Sequence, residues 1–580
     1  MKNVLRCFFC LLVVFSTYSC GIFGVHLNDH NPRHQSKYPD FDTETVLLGE
    51  LSPIRKNFDV TYYNLDIQID PAEKKIGGWV ELTAIALHDI DSVQVDLDQP
   101  LEISELRWES RDGLRLNYSR NYRAVLVKLP YRVTEGNLFS VCVKYEGKPI
   151  VAKKPPWRGG VVWEKDKQKH VWAGVTCESE GASIWFPCKD HTSDEPDSAT
   201  MKFTIADTSL LIVSNGRLIN DAISNQGRSF IWKVSYPINV YNITFYLGNF
   251  EKISDTLTGI NGKILQLNNY VLKPNAEKAK IHFQSVKNII KVNEALYGEY
   301  PWYNDGFKLV ESPYAGMEHQ TAIAYGNGFE NDLYKKEDYI MLHEVGHEWF
   351  GNAVTAKDFA DIWLQEGFTT YGEVLYLENT YGKDLAKSHL NTYRLFIKNK
   401  LPLVGPVDRR YFNFKDGDAY VKGAWILHTL RYSINNDSVF FNLLKTFYAE
   451  NKYRLTDSKS FIELVNKNTG KDYQWFFDQY LYKNKIPCFE GFFEDRTLYY
   501  RWTDVEKGFN KLVIKITLDG KTERYEIYPD TKIQKLVFSK QGETVASGLS
   551  INSNEALIKF RKNENLGRIL LQQQEANVSK

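Results

Sequence analysis

The chain has 580 residues, about four times a typical domain length, so two to four domains are expected. Basic and acidic residues number 72 each, a balance that argues against a nucleic-acid-binding surface. A hydrophobic share of 43% excludes wholesale disorder, and a mean hydropathy of −0.40 excludes a polytopic membrane protein.

Residues 1–20 place Lys2 and Arg6 ahead of an apolar run from Cys7 to Phe15. That run is too short to span a bilayer and reads as a signal peptide. Ser19, Cys20 and Gly21 resemble a bacterial lipoprotein box, although Thr17 and Tyr18 replace the usual leucine and small residue. The expectation is lipidation of Cys20 and attachment at the periplasmic or cell-surface side of a membrane, with plain secretion or a retained anchor as alternatives. Residues 21–50 are rich in Asn, His, Asp, Pro and Ser and read as a flexible tether.

From 51 to 250, short strands alternate with turns. Val60 to Ile69, Trp79 to Leu87, Val93 to Leu97, Ala124 to Leu129, Phe139 to Tyr145 and Met201 to Ala206 read as strands of an antiparallel β-domain. From 251 to 487 the apolar spacing turns helical. Helices are expected over Asn275 to Tyr297, Tyr339 to Val354, Asp361 to Tyr381, Tyr420 to Leu430, Ser438 to Tyr448, Ser458 to Asn466 and Tyr473 to Leu481. Strands return from 488 to 580 as a small β-sandwich, followed by a loose polar tail. Four cysteines remain after residue 20, namely Cys142, Cys177, Cys188 and Cys488. Cys177 and Cys188 could form a disulfide, or the thiols stay free.

Chemistry concentrates at residues 343–347, which read His-Glu-Val-Gly-His. Positions four apart share a helix face, so His343 and His347 can converge on one ion, and imidazoles suit zinc. Glu344 projects beside them as a general base for a water. Glu366, 19 positions after His347, would return to the same ion on a second helix. Two histidines and one glutamate leave a fourth position open, the arrangement of a catalytic zinc site. Glu373 falls two turns further along that helix and could accept a ring N–H from a ligating histidine. The acidic run Asp190, Asp194, Glu195 and Asp197 is an ordinary loop cluster or a calcium site.

HEVGHEWFGN followed by WLQEGFTTY resembles the aminopeptidase N and leukotriene hydrolase family of gluzincin metallopeptidases, over roughly residues 55–490. The resemblance implies a multidomain α+β chain: an N-terminal antiparallel β-domain, a thermolysin-like mainly helical catalytic domain and a small C-terminal β-sandwich. It implies one Zn2+ as cofactor, held by His343, His347 and Glu366. Ala315-Gly316-Met317-Glu318-His319 is similar to the family's Gly-x-Met-Glu-Asn motif, departing at Ala315 and His319. That match implies that Glu318 binds the free α-amine of a peptide, with Ala315, Gly316 and Met317 along its backbone. His319 touches the first side-chain pocket or is an ordinary wall histidine. Glu178, counted back from Pro187-Cys188, matches the family's second amine-recognition position. Tyr420-Val421-Lys422-Gly423 resembles the segment whose tyrosine stabilises the oxyanion, which assigns that role to Tyr420.

The expected activity is a zinc-dependent aminopeptidase acting on peptides with a free N-terminus. A related zinc endopeptidase or epoxide hydrolase, and a non-catalytic surface binding protein, are the alternatives. No long helical stretch follows residue 490, so a more open cleft is expected than in family members that carry a helical C-terminal domain.

Overall fold

The structure, a computed structural model, describes residues 38–411, 416–494, 496–518, 524–538, 549–551 and 555–578. The expected signal peptide, Cys20 and most of the expected tether lie outside these residues.

The α-helices are α1 (Thr43–Gly49), α2 (Pro53–Lys56), α3 (Ala276–His282), α4 (Val286–Leu296), α5 (Tyr339–Gly346), α6 (Trp363–Tyr381), α7 (Lys383–Arg394), α8 (Asp418–Ile434), α9 (Asp437–Asn451), α10 (Ser458–Thr469), α11 (Gln474–Tyr480) and α12 (Leu566–Val578). The N-terminal region is built on a seven-stranded sheet. Its strand order is Arg217–Ser224, Gly227–Val234, Ser198–Ile205, Phe58–Asp70, Lys75–Ala86, Leu138–Gly147 and Leu101–Trp108. Four of the expected strands are in this sheet, those at 93–97 and 124–129 pair in a separate three-stranded sheet, and within the seven-stranded sheet the expected antiparallel pairing holds with one exception. Phe58–Asp70 runs parallel to Ser198–Ile205, with Tyr62 opposite Ser198. Burial alternates along Phe58–Asp70, the signature of a sheet with unlike faces.

A five-stranded sheet separates the β-rich and helical regions, in the order Phe250–Thr258, Ile264–Leu272, Leu309–Glu311, Ile323–Tyr325, Gly316–Met317. Its period-two pattern serves two cores. Leu309, Ile323 and Tyr325 join the helical core. Val310, Ala324 and Met317 join the N-terminal core. The sheet is therefore a shared wall, and its last strand, Gly316–Met317, is an edge. The C-terminal region supplies a four-stranded and a three-stranded sheet. Phe489, Trp502 and Ile514 from these sheets belong to the same core as the helices.

Several expectations need correction. The expected helix over 275–297 is broken into α3, a short 3-10 turn at Phe283–Ser285 and α4. The helix expected to reach Val354 ends at Gly346, because the chain must turn back as the strand Val354–Ala356. The described part of the expected tether is folded: α1 is capped by Asp42, and Leu48 and Gly49 are buried. The expected loose tail contains α12, whose first residue Leu566 is fully buried. All four cysteines after residue 20 are free and buried, so Cys177 and Cys188 form no disulfide.

Helices α6 and α8 touch at backbone distance. A Cβ at Gly423 would lie 2.7 Å from the Cα of Gly367. A Cβ at Gly367 would lie 2.9 Å from the Cα of Gly423 and 3.0 Å from the Ala419 carbonyl. Real Cβ contacts are longer, so only glycine fits on either side. Gly423→Ala is therefore expected to force the helices apart and destabilise the protein by about 1–3 kcal/mol. Thermal unfolding measures this, and a midpoint equal to the unsubstituted protein's would contradict the packing argument.

Candidate active site and metal centre

Helix α5 carries the histidine pair into the interior. Asp338 caps it, accepting from Met341 N at 3.1 Å, and its other oxygen accepts from Tyr325 Oη at 2.5 Å. Every residue from Tyr339 to Val345 is buried. His347 follows the last helical residue but keeps helical backbone angles (φ −63°, ψ −20°), so it still shares a face with His343.

The two Nε2 atoms lie 3.1 Å apart, and Glu366 Oε2 lies 3.6 Å from His343 Nε2 and 3.4 Å from His347 Nε2. The other ring nitrogens are occupied. His343 Nδ1 meets Glu373 Oε1 at 2.7 Å, and His347 Nδ1 meets the Phe350 carbonyl at 2.9 Å. A carbonyl only accepts, so the His347 proton sits on Nδ1, and an ionised Glu373 imposes the same tautomer on His343. Both Nε2 lone pairs then face one point. Glu366 Oε2 faces it too, buried and without a hydrogen-bond partner. Tetrahedral zinc with bonds of about 2.0–2.1 Å would space two nitrogens about 3.3 Å apart, close to the spacing here. The donor set fits such a cation and leaves a fourth position free.

The cavity in front of these atoms, about 460 Å³ including its open mouth, gathers nearly every residue the sequence singled out. Glu178, Ala315, Gly316, Met317, Glu318, His343, Glu344, His347, Glu366 and Tyr420 all line it. Glu373 stands behind His343, with one oxygen on that ring and the other on the Tyr393 hydroxyl. The strand Gly316–Met317 lines the cavity at the sheet edge, where a peptide backbone can add as a further strand. A Cβ at Gly316 would lie 2.4 Å from Glu344 Oε1, so glycine there makes room for the general-base candidate.

Four carboxylates share this buried space. Burial, then the nearby Glu318, Glu366 and Glu344, raises Glu178 well above the ordinary carboxylate range. Glu178 Oε1 has no hydrogen-bond partner. Burial, with Glu366 adding to it, also raises Glu318, against the pull of His347 and of the Tyr241 hydroxyl, which donates to Glu318 Oε1 at 3.1 Å. Burial pushes Glu344 up to about 8, with Glu318 and Glu366 adding to the rise and the two histidines opposing it. Such crowding is costly unless cations enter the cavity. Tyr420 stacks on His343 with ring centroids 5.9 Å apart. Burial and then Glu366 raise its phenol well above the ordinary value, so it remains a proton donor.

Several residues of the site gave no usable sequence signal. Tyr241 reaches Glu318 from the N-terminal region. Pro156, Trp157 and Ile340 complete the wall. His389 and Tyr393 support Glu373 from α7, a helix the sequence reading did not expect; His389 Nε2 lies 2.6 Å from Tyr393 Oη. Asn352 was within reach, since it ends the HEWFGN stretch, and it donates to the Glu318 carbonyl at 2.7 Å. His319 is fully buried behind the wall, with Nδ1 2.5 Å from Tyr246 Oη, and burial lowers it to about 3. It is a wall histidine and does not line the cavity. Two members of the acidic run are paired with cations, Asp190 with Arg410 at 2.8 Å and Asp194 with Lys189 at 2.9 Å, and burial raises Glu195 to about 7.

Residues 282–480 match the peptidase family M1 domain. Both metal-ligand helices and Tyr420 fall within the matched span. Leucyl aminopeptidase from Saccharolobus solfataricus is 28% identical over 45% of this chain and 32% of its own length. Aminopeptidase N from Escherichia coli is 27% identical over 44% of this chain and 32% of its own length. These matches thus span about a third of each relative. A mutant M1 zinc metallopeptidase from Deinococcus radiodurans, solved with a Tyr-Ser-Ala substrate, shares the fold. Its TM-score is 0.63 at 21% identity, covering 76% of this chain and 98% of that one.

Glu373→Gln keeps the shape and removes the charge that orients His343. It is expected to weaken zinc binding by about 10–100-fold. Competition with a chromogenic chelator measures this, and unchanged affinity would remove Glu373 from the metal site's support.

Proposed function

We propose that this protein is a zinc-dependent aminopeptidase that removes the N-terminal residue from peptides. The observation that carries the reading is one cavity holding a three-donor metal centre, a free carboxylate at Glu344 and a second carboxylate pair, Glu178 and Glu318. Zinc held by His343, His347 and Glu366 would supply Lewis acidity and activate water.

The chain's own groups account for the rest. Glu344 takes the proton of the attacking water and passes it to the leaving amine. The Tyr420 hydroxyl donates to the oxyanion that develops at the scissile carbonyl, a contact worth about 3–4 kcal/mol in the transition state. Glu318 and Glu178 hold the substrate ammonium. That contact offsets their mutual repulsion and fixes the cut one residue from the end. The same pair disfavours an endopeptidase, because a continuous peptide would leave both carboxylates buried and unpaired.

Matched peptides with free and acetylated N-termini test the reading, with and without a zinc chelator. Chelator-sensitive release of single residues from the free peptide alone is the expected result. Equal cleavage of both peptides would mean an endopeptidase, and no cleavage by a zinc-loaded protein would mean a binding protein. Glu318→Gln is expected to raise KM for the free peptide by about tenfold or more.

The export signal read at residues 1–20 supports a position outside the cytoplasm, anchored through lipidated Cys20. No helix among the described residues is long and apolar enough to cross a membrane. Metabolic labelling with palmitate should mark the protein and should not mark Cys20→Ala; equal labelling of both would reject the anchor.

A further inference from the structure

Glu178 stands on a turn, and that turn is held in an unusual way. It follows the strand Val171–Thr176 and closes with Gly181 N donating to the Cys177 carbonyl at 2.7 Å. The next three carbonyls all point at guanidinium groups. Arg410 donates through Nη2 to the Glu178 carbonyl at 3.1 Å and through Nε to the Ser179 carbonyl at 2.9 Å. Arg123 donates to the Glu180 carbonyl at 2.6 Å.

The third arm of Arg410, Nη1, meets Asp190 Oδ1 at 2.8 Å. Asp190 Oδ2 accepts from Ser183 N at 3.0 Å on the far side of the same turn. Asp190 also fills the space that a side chain at position 181 would need: a Cβ on Gly181 (φ +88°) would lie 2.1 Å from its Oδ2. Burial raises the Asp190 carboxyl, but Arg410 and the Ser183 contact outweigh this and hold it below the ordinary value. Arg410 is thus a three-way brace. Its side chain is 5% exposed and lies over the Phe359 ring at 5.1 Å from the centroid.

Arg410 is itself held from the other side. Its backbone N–H donates to the Thr45 carbonyl at 3.3 Å. Gly49 seats so closely that a Cβ there would lie 2.2 Å from Arg410 N. Arg55, fully buried, gathers the Leu47, Leu48 and Glu50 carbonyls at 3.1–3.2 Å and so fixes the end of α1. Arg123 pairs with Glu44 of the same helix at 2.5 Å. The segment that reads as tether therefore presses on the loop that braces the Glu178 turn.

We propose that Arg410 is a positioning residue of the amine site: by binding two carbonyls of the 178–180 turn and Asp190 beneath it, it aims the Glu178 carboxylate into the cavity, with α1 holding it in place. This rests on the reading of Glu178 as a ligand of the substrate ammonium. Arg410 lies beneath the turn and does not line the cavity. Its loss would act through Glu178 and leave the metal donors and Glu344 in place.

The test uses the full chain with Arg410→Met, Arg410→Lys, Glu178→Gln and the double variant Glu178→Gln/Arg410→Met. Bound zinc, kcat and KM on a free-amine peptide are measured for each. Arg410→Met is expected to raise KM by about tenfold with kcat within about twofold and full zinc occupancy, the effect of a displaced binding group. In the Glu178→Gln background the same substitution should change KM no further, because the group it positions has already lost its charge. Arg410→Lys keeps the charge but cannot bridge all three partners. It should give an intermediate KM, and it decides the matter if Arg410→Met does not fold. Multiplying KM effects in the double variant would overturn the proposal, as would an unchanged KM in both Arg410 variants while Glu178→Gln raises it. An unchanged KM in Glu178→Gln itself would instead overturn the amine reading of Glu178, and this proposal with it.

Discussion

The crowding of four carboxylates into one buried cavity is the constraint on which the rest of the site depends. Glu178, Glu318, Glu344 and Glu366 all face the same small volume. Each raises the cost of ionising its neighbours. Among the described residues, no lysine or arginine side chain lines the cavity. His343 and His347 rest their Nδ1 atoms on Glu373 and the Phe350 carbonyl, and against burial the surrounding carboxylates raise both above the ordinary imidazole value. Two kinds of cationic ligand would relieve the crowding further. A divalent cation suits the His-His-Glu corner, and an ammonium suits the Glu178–Glu318 corner. Binding and catalysis here draw on the same electrostatic debt.

A cavity this charged needs rigid walls, and the fold supplies them by merging cores. The five-stranded sheet gives one face to each core, and its edge strand Gly316–Met317 is anchored by Met317 in the N-terminal core. The contact of Gly367 with Gly423 locks the helix that bears Glu366 against the helix that bears Tyr420. Gly316 leaves the Glu344 carboxylate its space. In each case the missing Cβ sets a distance between chemical groups, which is a stricter demand than filling volume.

The metal centre was the most legible part of the sequence. Its residues sit at spacings that helical geometry converts directly into a shared face, and Glu366 and Glu373 follow the same arithmetic. Strands with alternating burial, such as Phe58–Asp70, were equally readable. What stayed hidden depends on contacts between distant segments. Tyr241 touches Glu318 from 77 positions away, and nothing around it marks it. Helix α7 has a polar composition and buries only Ala386, His389, Leu390 and Tyr393, so its apolar pattern is thin. The segment 38–50 reads as tether because it is polar. Its end is ordered by backbone carbonyls captured by Arg55, an interaction that leaves no periodic trace.

The two carboxylates of the amine corner come from different parts of the fold. Glu318 follows the edge strand of the shared sheet and is steadied by Tyr241 and Asn352. Glu178 rides on a turn of the N-terminal region. A substrate ammonium bound between them therefore bridges two separately built supports. The Glu178 support is braced by Arg410, which comes from the stretch before α8 and reaches back to the turn at 178–180. On the proposed reading, terminus recognition is a property of the joint between regions, whereas the metal-donor geometry is local to α5 and α6 and the residue that follows α5. Substitutions at the joint can alter which peptides bind while leaving the metal chemistry intact, so terminus recognition can change independently of the catalytic centre.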